Sequence, residues 1–172
     1  MYENQTIKEP KWKNWIIRTT TPLFTPDQCN QIIASGRAQK PQTAQVITNK
    51  SGGVVTNKLG GATISWIPFK EMGHMYQDLN AFIQKTNENH FGFEDVRVTE
   101  NAQFTEYPVG GFYDWHMDCD VDMSHEPPVR KISMTVLLND PAEFEGGELE
   151  LMGPGKFAEL KQGHAICFAS FL

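Results

Sequence analysis

Cysteine is scarce: Cys29, Cys119 and Cys167 are the three in 172 residues, far apart and with no CxxC pair. An odd, dispersed set gives no disulfide framework and fits reduced thiols in a cytosol. Long apolar runs are missing as well. None approaches the ~20 residues that span a bilayer, and the N-terminal Met1-Tyr2-Glu3-Asn4-Gln5 lacks a signal-peptide core. The chain therefore reads as soluble and cytoplasmic, with no membrane partner. Basic charge is in deficit, 15 Lys and Arg against 21 Asp and Glu, for a net charge of -6. The cations are scattered rather than gathered in a stripe, so phosphate backbones gain no general attraction and nucleic acid is a disfavoured partner. There is no internal repeat, low-complexity run or linker.

What is present is a globular composition, 40% hydrophobic and 21% charged. The length suits one domain over residues 1–172, large enough to bury a core without disulfides. Thr25-Pro26-Asp27-Gln28 offers an N-cap hydroxyl, a proline at the first helical position and a capping-box glutamine. Cys29, Ile32 and Ile33 continue as an apolar stripe, and Gly36 is the expected stop. Ser51-Gly52-Gly53 and Gly60-Gly61 bracket Val54-Val55-Thr56, which predicts a flexible hairpin or loop able to cover a site. The helical spacing of Met72, Met75, Tyr76, Leu79, Phe82 and Ile83 predicts a helix from about Phe69 to Asn89.

Beyond Val96 the pattern becomes one of short strands: Val96 to Tyr107, Phe112 to Asp118, Lys131 to Leu138, Glu148 to Leu151 and Ala165 to Phe168. Turn residues separate them at Pro108-Val109-Gly110-Gly111, Pro127-Pro128, Asn139-Asp140-Pro141, Gly146-Gly147 and Gly153-Pro154-Gly155. Helices first and strands afterwards predict an α+β layout, with helices on one face of an antiparallel β-sandwich or jelly roll. Periodicity alone does not choose between these two.

The segment richest in chemistry is Tyr107 to Asp118. On a strand, residues two apart share a face, so His116 and Asp118 can aim at one point while Met117 faces away. By the same alternation Cys119 points elsewhere and reads as a packed thiol rather than a ligand. An imidazole and a carboxylate that leave coordination positions open suit a non-haem Fe(II) centre, where oxygen and a cosubstrate must also bind. HxD alone is a weak pattern, more often a surface pair than a metal site. Here it follows Phe112, Tyr113 and Trp115 and leads into Asp120 and Asp122.

Several further motifs stand in one order: Gln103, Tyr107, Gly110-Gly111, Tyr113-Asp-Trp-His116-Met-Asp118, Arg130-Lys-Ile-Ser133, Leu138-Asn139, Gly146-Gly147-Glu148-Leu149, Gly163 and Phe168-Ala-Ser170. In this order the chain, from about Val96 to its last residue, resembles the prolyl 4-hydroxylase-like branch of the Fe(II)- and 2-oxoglutarate-dependent dioxygenases, including bacterial and phage members. The resemblance implies a double-stranded β-helix (jelly roll, cupin-like) with N-terminal helices packed on one sheet. It implies Fe(II) held by His116 and Asp118, 2-oxoglutarate as cosubstrate, O2, and ascorbate as a supporting reductant. The implied activity couples 2-oxoglutarate decarboxylation, giving succinate and carbon dioxide, to hydroxylation of a C–H bond. Tyr107 resembles a family tyrosine that approaches the cosubstrate; its bland alternative is a core aromatic at a strand end. Leu137 falls where some relatives carry a tyrosine touching 2-oxoglutarate, and here reads as apolar pocket wall.

The family places a third iron-binding histidine, then an Arg or Lys for the distal carboxylate of 2-oxoglutarate, after Phe-x-Ser. This chain ends at Phe171-Leu172, ahead of both, so the expectation is a domain lacking its last C-terminal segment. His164 reads as a loop histidine, and His74, His90 and His125 as isolated ones. Glu148 and Glu150 alternate with Leu149 and Leu151 as on a half-exposed strand, Gly146-Gly147 suits a turn with positive φ, and Trp66 and Trp115 read as packing. The substrate implied by the family is a protein or peptide residue such as proline, or a small molecule. A catalytically inactive jelly-roll binding domain is the alternative, and the acidic balance counts against a nucleobase demethylase.

Overall fold

The computed structural model of the chain describes residues 15–50, 53–119, 129–151, 155–156 and 160–172, and for 43–50, 53–60 and 155–156 the backbone only. Ser51-Gly52, Asp120, Asp122, His125, Pro127-Pro128 and Gly153-Pro154 lie outside the described residues.

Strand β1 (Ile16–Arg18) leads to helix α1 (Pro26–Ala38). Its start is the reciprocal cap that the sequence predicts: Gln28 N–H donates to Thr25 Oγ1 at 3.3 Å, and Thr25 N–H donates to Gln28 Oε1 at 2.8 Å. Cys29, Ile32 and Gly36 form its buried stripe. Gly36 does not stop the helix. A Cβ there would stand 2.3 Å from Phe104 Cγ, so glycine is what lets α1 approach the sheet beneath it.

Strands β2 (Gln42–Lys50) and β3 (Gly53–Ile67) form the expected hairpin, although β3 extends far beyond Gly61. Helix α2 (Gly73–Thr86) begins four residues later than Phe69, because Glu71 N–H bonds Pro68 O at 3.0 Å and closes a turn over the positions between. Met75, Tyr76 and Leu79 are its buried face, and a π-helical turn (Asn87–Phe91) prolongs it. Tyr76 ties layers together, its hydroxyl donating to Ile67 O and accepting from Ala102 N–H at 2.6 Å.

The expected strand from Val96 shrinks to β4 (Ala102–Glu106). Gln84 donates to Val96 O, and Val98 N–H bonds Asn80 Oδ1 at 3.3 Å, so side chains of α2 occupy backbone groups that a ladder would otherwise use. Strand β5 (Ile132–Val136), a 3-10 turn capped by Asp140 (Pro141–Glu143), β6 (Glu150–Leu151), β7 (Gly155–Lys156) and β8 (Ala165–Ala169) follow. Gly146 and Gly147 have positive φ, as their turn position requires.

The result is a mixed α/β fold with antiparallel sheets ordered β1-β8-β5, β2-β3-β4 and β6-β7. β8 is buried at every position, and its alternating side chains serve two clusters. Cys167 and Ala169 pack with Phe91, while Ile166 and Phe168 pack with Leu151. A third cluster joins Phe24, Cys29 and Ile32 of the α1 region to Ile67, Phe104 and the buried face of α2. No helix among the described residues is long and apolar enough to cross a membrane.

Candidate metal centre

Residues 112–118 do not form a strand, contrary to the alternation argument. Local bonding competes with a ladder here: Asp114 Oδ1 accepts from Trp115 N–H at 2.9 Å, and Asp114 O lies 2.8 Å from His116 Nδ1. His116 and Asp118 meet nonetheless, with Nε2 and Oδ1 3.1 Å apart. Convergence comes from the folded loop rather than from a shared strand face.

Asp118 N–H and Cys119 N–H both donate to Ser170 O, at 3.1 and 3.0 Å, just past the end of β8. Ser170 is buried; its Oγ donates to Arg130 O at 2.6 Å and its N–H to Lys131 O at 3.1 Å. Arg130 Nη1 in turn reaches Asp118 O at 3.3 Å, while its Nε and Nη2 hold Glu100 Oε1 at 3.1 and 2.8 Å. The Arg-x-x-Ser and Phe-x-Ser motifs therefore share one structural task. They clamp the HxD loop to the open end of the β5–β8 pair. In the sequence alone these two motifs carry no role of their own, and their visible signal is co-occurrence with HxD.

Asp114 O and the Asp118 carboxylate both only accept, so His116 donates Nδ1–H to the first and, when protonated, Nε2–H to the second; Nε2 is the position a metal would take in place of that proton. The Asp118 hydrogen bond raises the imidazole pKa above its ordinary value, against the downward push of burial. Burial pushes the Asp118 carboxyl up, but the His116 hydrogen bond, the nearby Ser133 hydroxyl and the charges of His116 and Arg130 outweigh it and hold the carboxyl low. Among the described residues Ser133 Oγ is buried without a hydrogen-bond partner of standard geometry, and its hydroxyl favours the ionised Asp118 carboxylate.

Tyr113 stacks on His116 with ring centroids 3.6 Å apart and planes 12° apart. Burial raises the Tyr113 phenol pKa, and the charges of Asp118 and Tyr107 add to this. Tyr107 thus neighbours the centre, but it is half-exposed rather than a core aromatic. Trp115 is 62% exposed, so its packing reading fails as well. Cys119 is half-buried and sits beside Asp118 in the clamp. Leu137 is half-buried just beyond β5, four residues and about 13 Å of strand from Ser133. Its N–H and O pair with His164 O and Gly163 N–H, at 3.1 and 2.8 Å. His164 lies in the turn that opens β8, its Nδ1 3.1 Å from Thr19 Oγ1.

Residues 102–172, which contain this loop and its clamp, match the family model of the 2OG-Fe(II) oxygenase superfamily. The part of the chain that holds His116 and Asp118 therefore carries the pattern of that superfamily. Among solved structures, a Pseudomonas putida prolyl-4-hydroxylase is similar at 18% identity, over 92% of this chain and 82% of that one, with a TM-score of 0.49. Comparison with curated proteins gives no significant match.

The donor chemistry fits a divalent metal in part. Adjacent donors bound at about 2.1 Å and at right angles lie about 3.0 Å apart, close to the observed separation of Nε2 and Oδ1. The Nδ1–H bond to a backbone carbonyl is the usual orienting contact of a metal-binding histidine. Among the described residues no third His, Cys, Asp or Glu completes a cluster.

Proposed function

We propose that the chain is an Fe(II)- and 2-oxoglutarate-dependent dioxygenase that hydroxylates a residue of a protein or peptide, such as proline. The observation that carries this reading is the imidazole–carboxylate pair at 3.1 Å with the imidazole tautomer fixed by Asp114 O. His116 Nε2 and Asp118 Oδ1 would hold the iron. The bound iron supplies activation of oxygen coupled to oxidative decarboxylation of 2-oxoglutarate, with ascorbate as a supporting reductant. The chain's own contribution is placement: Ser170 and Arg130 fix the loop, Asp114 fixes the tautomer, and Ser133 favours the ionised carboxylate. Tyr107 and Leu137 would flank the cosubstrate, the first by its phenol and the second as apolar wall.

Phe112, Trp115 and Met117 are all more than half exposed around the pair, which supports an extended peptide over a small molecule enclosed in a cavity. We read the chain as one cytoplasmic domain, in keeping with three free thiols. A catalytically inactive binding domain is the second reading, favoured by the two-donor cluster among the described residues.

Succinate formation with Fe(II), 2-oxoglutarate and oxygen separates the two. Under the first reading wild type produces succinate and His116→Ala does not, with the fold unchanged. Equal, background-level succinate from both proteins supports the binding domain.

A further inference from the structure

An imidazole on a loop has a broad, two-fold torsional preference about its outer bond. Its in-plane contacts, Nδ1 to Asp114 O at 2.8 Å and Nε2 to Asp118 Oδ1 at 3.1 Å, hold the two edges of the ring. Neither resists rocking about the line that joins the two nitrogens. Among the described residues that motion is opposed by the Tyr113 face, nearly parallel at 12° and 3.6 Å away between centroids. In an α-helix a contact between residues three apart follows from the helix itself, but this segment is irregular, so the stack is a specific packing choice.

We propose that Tyr113 is a positioning residue whose ring face sets the plane of the His116 imidazole, and so the direction in which Nε2 presents its lone pair. The proposal rests on the dioxygenase reading for what Nε2 holds, and it adds a residue that acts through another. The ring does this work and the phenol hydroxyl does not. Tyr113→Phe therefore keeps the function, whereas Tyr113→Leu, with apolar bulk but no flat face, loses it.

The test uses the full chain and two readouts that do not depend on turnover. In the metal-free protein, the His116 ring protons resonate upfield in wild type and Tyr113→Phe because they lie over an aromatic face. They return toward ordinary positions in Tyr113→Leu. Titration with Co(II) gives equal affinity for wild type and Tyr113→Phe, and about 10–100-fold weaker binding for Tyr113→Leu, the usual effect of removing an orienting contact. Wild-type affinity in Tyr113→Leu, a loss in Tyr113→Phe as large as that in Tyr113→Leu, or failure of Tyr113→Leu to fold each overturns the proposal. The last would make the stack a structural contact rather than an orienting one. If wild type binds no Co(II), the dioxygenase reading fails, and the ring-proton shifts still decide whether Tyr113 orients the imidazole.

Discussion

Replacing Gly163 by alanine places a methyl carbon 1.9 Å from Phe24 O and 3.0 Å from Phe24 C. Both are backbone atoms, so no rotamer change relieves the contact. Gly163 sits at φ +75, where an alanine is strained by roughly 1–2 kcal/mol before any neighbour is met. Its carbonyl also accepts from Leu23 N–H at 2.8 Å and Phe24 N–H at 3.2 Å, the bonds that dock the segment before α1 against the turn into β8. Moving Phe24 away gives these up at about 0.5–1.5 kcal/mol each, for a total effect of about 2–5 kcal/mol. In a chain of this length that lowers Tm by about 4–20 °C. Gly110→Ala is the matched control: it has the same φ of +75, and a Cβ there meets nothing within 4 Å. It should show the strain alone, about 1–2 kcal/mol. Urea unfolding of both variants, compared at equal slope, isolates the steric part. Equal midpoints for the two would refute the argument that contact with Phe24, rather than dihedral strain, requires glycine at 163.

Burial pushes the Cys167 thiol up to about 12 and raises Cys29 as well, whereas Cys119 is partly open. Alkylation of the native chain at pH 8, read by peptide mass, should label Cys119 alone, and labelling of Cys167 without denaturant would contradict its burial. Tyr76→Phe removes the hydroxyl that serves Ile67 O and Ala102 N–H and should lower stability by about 1–3 kcal/mol, measured by urea unfolding. In metal-free protein His116 is raised above 6.5 and Asp118 lowered below 3.8. The imidazolium contribution to stability is complete below 6.5 and fades as pH rises through the raised folded value. The carboxylate contribution is complete above 3.8 and fades as pH falls through the lowered one. The stability difference between wild type and His116→Ala should therefore shrink as pH rises past neutrality; a difference that grows would reverse the assigned sign.

Local chemistry made the early helix and the turns legible. The capping box at Thr25 and Gln28 and the positive-φ glycines at 146 and 147 depend on nearest neighbours, and both occur. Features set by distant partners were not legible. Gly36 looked like a stop because the Phe104 ring that requires a glycine lies far along the chain. Val96 to Val98 carried a strand pattern, but Gln84 and Asn80 of α2 bind their backbone first. Trp115 reads as packing by residue type and Tyr107 leaves a core aromatic open as its alternative, yet both are exposed. His116 and Asp118 do come together, but in an irregular loop rather than on the shared strand face that the spacing suggests.

That mismatch says what the HxD spacing means here. A strand would have imposed convergence through its two-residue repeat, and any well-paired strand would then do. A loop has no such repeat, so the 3.1 Å approach must be set by contacts outside the three residues His116 to Asp118. Four are visible: Asp114 O on His116 Nδ1, the Tyr113 ring on the imidazole face, Ser170 O on the amides of Asp118 and Cys119, and Arg130 on Asp118 O. Two come from the residues immediately before the histidine and two from segments that follow it. Replacing Ser170 or Arg130 would remove the Oγ bond to Arg130 O or the Nη1 bond to Asp118 O and so loosen the loop without touching the pair itself. For this loop, the ordered set of motifs is therefore the physical unit, and HxD is the part of it that forms the imidazole–carboxylate pair.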